Sequence, residues 1–201
     1  MKLAIVAGGG ANFYSVEVAI QRLGIEYELT TDKAVIEAAD GIIFPGVGFA
    51  KYAMDNLAQY DLIDTIKNYK KPFLGFCLGM QLLYEYSDEG NVECLGIFKG
   101  TIRKFDDSQL IVPQMGWNNC KLLRQSRLLD NVDLERDVYF VHSYYAPVNE
   151  FTVASSEYGD DFTAIAEDKN FYATQFHPEK SGAIGEQILA NFIKIVQEFK
   201  G

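Results

Sequence analysis

Lys71-Lys-Pro-Phe-Leu-Gly-Phe-Cys-Leu-Gly-Met-Gln-Leu-Leu-Tyr84 is the stretch whose reading decides the fold. Phe73 to Phe76 is a short apolar run after a Lys-Lys-Pro break, the pattern of a buried parallel strand. From Leu78 onward Met80, Leu82, Leu83 and Tyr84 suit a helix packed on a sheet, with no Gly or Pro until Gly90. Cys77 therefore stands at a strand-to-helix turn.

Gly75 and Gly79 flank that cysteine, giving Gly-x-Cys-x-Gly, the thiol version of a nucleophile elbow. Small residues let strand and helix approach closely while the residue between them is held in a tight turn. A thiol at a helix N-terminus meets the positive end of the macrodipole and free backbone N–H groups, which favour the thiolate. The same pattern also suits a small buried residue in a βα turn. Other parts of the chain must decide between these readings.

Upstream, Lys2 to Ala7 reads as a strand ending in Gly8-Gly9-Gly10, and Ser15 to Leu23 has helical spacing closed by Gly24. Tyr27 to Thr30 is a second strand, Thr31-Asp32 caps a short helix through Ala39, and Ile42 to Phe44 is a third strand. A β-α-β-α-β start implies a parallel sheet with right-handed crossovers. The glycine triplet with Asp32 about 20 residues on invites a dinucleotide-binding reading, but Phe13 stands at the third glycine position, where a bulky ring obstructs close helix packing. A tight βα turn fits better.

Pro45-Gly46-Val47-Gly48 is a second sharp turn at the same sheet edge, where parallel sheets collect their sites and free N–H groups can face a negative oxygen. Met54 to Leu57 and Leu62 to Tyr69 look helical, the latter capped by Asp61. Beyond Gly90 the segments 101–105, 119–122, 138–144, 151–155, 163–166 and 171–176 are short, β-branched or aromatic, as antiparallel strands added at one edge would be. Gly185 to Phe199 is a closing amphipathic helix. The expected architecture is a single α/β domain spanning residues 1–201: a central mixed, mostly parallel sheet, helices on both faces, and antiparallel strands at one edge.

The 201 residues are 48% hydrophobic and 23% charged, enough for one well-packed core. The net charge of −10 argues against nucleic acid or an anionic membrane as partner. No apolar run approaches a membrane span and Leu3 to Ala7 is too short for a signal peptide, so a cytoplasmic location is expected. Cys77, Cys94 and Cys120 are an odd number without metal-like pairing; neither a disulfide framework, a metal nor a cofactor is expected.

Only His142 and His177 can supply an imidazole. His177 follows the last strand segment and precedes Pro178, with Glu179 two residues on, where an extended chain turns both side chains the same way. A carboxylate so placed fixes the tautomer and stabilises the imidazolium, the base-plus-orienter arrangement of a thiol nucleophile. His142 has no carboxylate on its own face and reads as a histidine hydrogen-bonded at a strand end. The order Cys, His, Glu also differs from that of the α/β-hydrolases.

Gly75-Phe-Cys-Leu-Gly-Met-Gln81 with Phe176-His-Pro-Glu179 resembles the class I glutamine amidotransferases. With Pro45-Gly-Val-Gly48, Met115-Gly-Trp-Asn118, Phe140-Val-His-Ser-Tyr144 and Phe176-His-Pro-Glu-Lys-Ser181, the chain is similar, from Lys2 to its last helix, to the glutaminase subunits of imidazole glycerol phosphate synthases of histidine biosynthesis. The resemblance implies the class I glutamine amidotransferase fold and glutamine hydrolysis through a thioester. Cys77 would be the nucleophile, His177 the base and Glu179 its orienter. Val47 and Leu78 would supply the oxyanion hole, and Gly48, Gln81, Glu89, Ser143 and Tyr144 would bind L-glutamine.

Ammonia would pass to a separate (β/α)8-barrel cyclase subunit in a heterodimer, with Asn12, Met115, Trp117 and Lys180 at the interface. Two alternatives stay open at single residues: Glu89 as a solvated glutamate, and Trp117 as a core residue. Gln114 stands where many members have histidine, and Gly10-Ala11-Asn12 departs from the more frequent opening; by the resemblance both bear on partner contacts and not on the triad. A glutaminase subunit serving another acceptor, such as chorismate or a nucleotide, is the alternative.

Overall fold

The computed structural model describes residues 1–7 and 13–199. The glycine triplet and Asn12 lie outside the described residues.

Eight strands form the main sheet, whose first half is parallel. β1 (Lys2–Val6) pairs with β2 (Glu26–Thr30) and β3 (Gly41–Gly46), and β3 with β4 (Phe73–Cys77). The connections are α1 (Phe13–Arg22), α2 (Lys33–Ala38), α3 (Ala50–Gln59) and α4 (Ile63–Lys67). Asp32 caps α2, its side chain accepting from Ala34 and Val35 N–H, which accounts for the residue structurally. Asp61 does not cap α4: its φ of 54° places it in the preceding turn, and its carboxylate faces Lys33 instead.

Strand alternation sorts the core into two layers. Leu3, Ile5, Ile43, Leu74 and Phe76 point to the face covered by α1 and by α6 (Gly182–Glu198). Ala4, Val6, Ile42, Phe44 and Phe73 point to the face covered by α2, α3 and α4.

After β4 the structure departs from the sequence expectation. The helix α5 spans only Leu78–Gln81, and Tyr84–Ser87 is a strand, β5. Leu82, Leu83 and Tyr84 are buried, so their apolarity reports a core position and not helical periodicity. β5 pairs with β6 (Val92–Glu93) and with β7 (Phe98–Lys104), the core of a separate four-stranded sheet.

A two-stranded sheet joins β8 (Gln114–Asn118), absent from the sequence reading, to β10 (Val138–His142). β11 (Tyr144–Tyr145) pairs with β7. Short β9 (Lys121–Leu122), long β12 (Thr152–Tyr158) and β13 (Asp160–Asp168), and β14 (Phe171–Thr174) complete the main sheet in the order β2-β1-β3-β4-β14-β13-β12-β9. Its last three pairings are antiparallel, as expected of one edge.

β14 pairs in parallel with β4, Thr174 opposite Phe76, while Gly46 of β3 lies opposite Cys77. The carboxyl ends of β3, β4 and β14 are therefore side by side. Residues just beyond them, 47–48, 77–78 and 177, emerge at one edge.

Candidate active site

Cys77 has φ 50° and ψ −109°, a conformation costly for a residue with a Cβ and held only by its surroundings. What holds it is close packing. A Cβ added at Gly79 would lie 1.9 Å from the Phe44 carbonyl oxygen, and one at Gly75 would meet Gly79 at 2.8 Å. Glycine is thus required for α5 to sit on β3 and β4. Leu78 opens α5, so its N–H has no acceptor within the helix. Because α5 is one turn long, the field at Cys77 is that of its first N–H groups and not of a long macrodipole.

Across the strand ends, His177 and Glu179 are each about 4% exposed, and His177 Nδ1 lies 2.8 Å from Glu179 Oε1. The backbone around them is pinned. His177 N–H donates to the Tyr139 carbonyl, while Ser181 Oγ donates to the His177 carbonyl and accepts from Tyr139 N–H. Burial alone would lower the imidazole pKa. Cys77, once its sulfur is the thiolate, and the Glu179 carboxylate outweigh it and raise His177 to about 10, so a proton taken from sulfur is held on the ring. Its Nε2 is buried and makes no hydrogen bond, and the Cys77 thiol is 3.7 Å from the Val141 carbonyl. The base is in place, with its second nitrogen free for a proton from sulfur or substrate.

Val47, Gly48, Cys77, Leu78, Gln81, Glu89, Pro113, Val141, His142, Ser143 and Tyr144 line one cavity of about 260 Å3. Every residue expected from sequence to bind glutamine or an oxyanion is in that wall, although they come from four parts of the chain. Gly48 has φ 112°, open to glycine and strained for other residues, beside the exposed Val47.

Glu89 is not a solvated surface glutamate. Its carboxylate accepts from Ala50 N–H at 2.8 Å, capping α3, and burial raises its pKa although that N–H opposes the shift. Gln81 is committed as a donor, its Nε2 reaching the Tyr144 carbonyl at 2.8 Å and Gln175 Oε1 at 3.0 Å.

His142 is the histidine hydrogen-bonded at a strand end, and burial lowers its pKa to about 4. Nδ1 lies 2.8 Å from the Tyr144 carbonyl and Nε2 2.9 Å from the Gln114 side-chain amide. Gln114 Oε1 is the atom placed there, but a neutral ring donating Nδ1–H to the carbonyl needs a donor at Nε2, so the amide is assigned turned over with its NH2 toward the ring. Gln114 is buried behind the cavity.

Met115 and Trp117, next along β8, point outward and are 66% and 57% exposed, so Trp117 is not a core residue. Trp117 packs edge-on against Tyr139 at 5.7 Å, and Lys180 Nζ lies 5.9 Å from the same ring. Two of the four residues expected at an interface, Trp117 and Lys180, thus flank Tyr139, with Met115 exposed on the same strand as Trp117. Sequence reasoning missed Gln175, Val141 and Pro113. Only Gln175 carried a signal, standing two residues before His177. The cysteines are all free and buried. No helix among the described residues is long and apolar enough to cross a membrane.

A family model described as glutamine amidotransferase class-I matches residues 8–196. Imidazole glycerol phosphate synthase subunit HisH of Bacteroides fragilis is 47% identical over 197 residues, 97% of this chain and 100% of that protein. The HisH subunit of Haemophilus influenzae is 45% identical over 196 residues, 98% of each chain.

Among solved structures, the glutaminase domain of Trypanosoma brucei CTPS with bound acivicin aligns with a TM-score of 0.69 at 16% identity, covering 100% of this chain and 95% of that one. PurLQS from Thermotoga maritima aligns at 0.68 and 17% identity, covering 96% and 97%. These likenesses show a shared fold. With the family model spanning nearly the whole chain and relatives of such identity over its full length, the chain belongs to the class-I glutamine amidotransferases and, within them, to the HisH subunits of imidazole glycerol phosphate synthase.

Proposed function

We infer that the protein hydrolyses L-glutamine to L-glutamate and ammonia as the glutaminase subunit of imidazole glycerol phosphate synthase, in histidine biosynthesis. The observation that carries the chemistry is a strained Cys77 beside a buried, carboxylate-paired His177, at a cavity walled by Gly48, Gln81, Glu89, Ser143 and Tyr144. The full-length similarity to HisH subunits carries the choice of pathway.

His177 Nε2 takes the thiol proton and Sγ attacks the side-chain amide carbon of glutamine. The carbonyl π electrons move to oxygen, which the N–H groups of Leu78 and Val47 stabilise. Collapse of the tetrahedral adduct breaks the C–N bond, and the His177 proton goes to the leaving nitrogen, releasing ammonia and a glutamyl thioester. Water then gives a proton to the same nitrogen, attacks the thioester and expels sulfur. Glu179 holds the imidazolium in register throughout. Glu89, at the cavity wall, meets the substrate ammonium.

The outward face built from Met115, Trp117 and Lys180 docks a (β/α)8-barrel cyclase subunit, which receives the ammonia. The site of action is the cytoplasm. Mixing the purified chain with that cyclase and its ribonucleotide ligand and following glutamate release tests the reading. Release stimulated by the cyclase supports it. Stimulation absent from every combination removes the pathway assignment.

A further inference from the structure

Four buried side chains, Gln114, His142, Gln81 and Gln175, form a polar chain at the back of the cavity, His142 and Gln81 being joined through the Tyr144 carbonyl. Its last member, Gln175, is fully buried between β14 and His177, and its Nε2 lies 3.7 Å from Cys77 Sγ. Whether an amide presents N–H or C=O to a sulfur decides whether it stabilises or repels the thiolate, and here the orientation is forced.

The Tyr144 carbonyl can only accept, so the Gln81 atom beside it must be Nε2. That same Nε2 lies 3.0 Å from the Gln175 amide, so the Gln175 atom facing it must be the oxygen. The NH2 of Gln175 is then left pointing at Cys77 Sγ. A backbone carbonyl thus fixes two amides in succession.

We propose that Gln175 is a further catalytic residue of the reaction, donating a side-chain N–H to Cys77 Sγ and stabilising the thiolate, with Gln81 positioning it. This rests on the reading of Cys77 as nucleophile. While the thiol carries its proton it donates to the Val141 carbonyl, and the Gln175 contact is a weak one to neutral sulfur. When His177 removes the proton, sulfur gains a full negative charge and the same N–H becomes a charge-assisted donor. When the tetrahedral adduct collapses back or the thioester hydrolyses, sulfur leaves as an anion toward the same N–H. Gln175 is therefore used twice per turnover without exchanging a proton.

The titratable groups around Cys77 are His177 and Glu179 beyond β14, His142 on β10, and Glu89 and Tyr144 in the cavity wall. Gln175 is uncharged at every accessible pH. Replacing it therefore changes the sulfur's response to pH through the lost N–H.

The test is the rate of Cys77 alkylation by iodoacetamide against pH, with the labelled residue located by mass spectrometry. Gln175→Met and Gln175→Leu should each move the midpoint alkaline by about one unit, roughly a tenfold loss of thiolate at fixed pH below it. Glutaminase kcat should fall while KM changes little. Gln175→Leu likewise removes the N–H without adding a charge and decides the matter if the methionine variant fails to fold. In the unsubstituted chain, the Gln175 side-chain amide NMR signal should titrate with the alkylation midpoint. Folded variants whose profiles superimpose on the unsubstituted one, or an amide signal that ignores that midpoint, would overturn the proposal. Glutamine hydrolysis surviving in Cys77→Ser would instead overturn the nucleophile assignment, so the two failures are distinct.

Discussion

His177 Nδ1 and Glu179 Oε1 are 2.8 Å apart in a pocket that leaves each side chain about 4% exposed. A charged imidazole is tolerated there because its partners outweigh burial, and this has a sign. The folded pKa of about 10 lies above the usual 6.5, so the folded state binds the proton more tightly than the unfolded chain. The stability His177 contributes is fully present below pH 6.5 and is lost as pH rises toward 10. Denaturant unfolding of the protein and of His177→Ala from pH 6 to 10 should show the difference between them shrinking with pH. A constant difference would contradict the assigned coupling.

His142 has the opposite sign. Its folded pKa of about 4 lies below 6.5, so the unfolded chain binds the proton more readily. The stability held by the neutral ring is present above pH 6.5 and lost as pH falls through the window from 6.5 to 4, at most about 3 kcal/mol. His142→Gln should flatten the acid limb of the stability profile measured between pH 7 and 4.

Gly79 is a packing requirement of the elbow. A Cβ 1.9 Å from the Phe44 carbonyl cannot be relieved by a side-chain rotation, since both atoms belong to backbone-fixed groups. Gly79→Ala should destabilise the fold by more than about 3 kcal/mol, a fall in Tm of roughly 6 °C or more for a chain of this size. Differential scanning calorimetry reads this directly.

Trp117 is half exposed, packs on Tyr139 and contributes little to the chain's own core. Trp117→Ala should leave the Tm within about 2 °C, yet weaken association with the cyclase by about 2 kcal/mol, some thirtyfold in Kd. Isothermal titration with the cyclase separates the two effects.

The elbow, the paired His177 and Glu179, and the parallel first half of the sheet were legible because each depends on local pattern: an apolar run, flanking glycines, a Pro-bounded turn. What failed depended on partners distant in sequence. Leu82 to Tyr84 look helical by apolarity, but Leu82 and Leu83 form a turn and Tyr84 is drawn into strand pairing with Phe98 of β7. Asp61 looks like a cap but is held at positive φ by the turn it occupies.

Gln175 illustrates the same limit in the site. Its place two residues before His177 is its only local signal, because its role follows from Gln81 and Tyr144, each some 30 to 95 residues away. Gln114, read from resemblance as bearing on partner contacts, proved to be buried against His142, while its neighbours Met115 and Trp117 carry the outward face.

The central claim is that Cys77 performs glutamine hydrolysis while synthesis takes place on the partner. The most direct measurement compares Cys77→Ala with the unsubstituted protein in the assembled complex, following glutamate release from glutamine and imidazole glycerol phosphate formation from added ammonium. Glutamate release should vanish and ammonium-dependent synthesis should persist. Undiminished glutamate release, or loss of ammonium-dependent synthesis by a folded and bound variant, would contradict it.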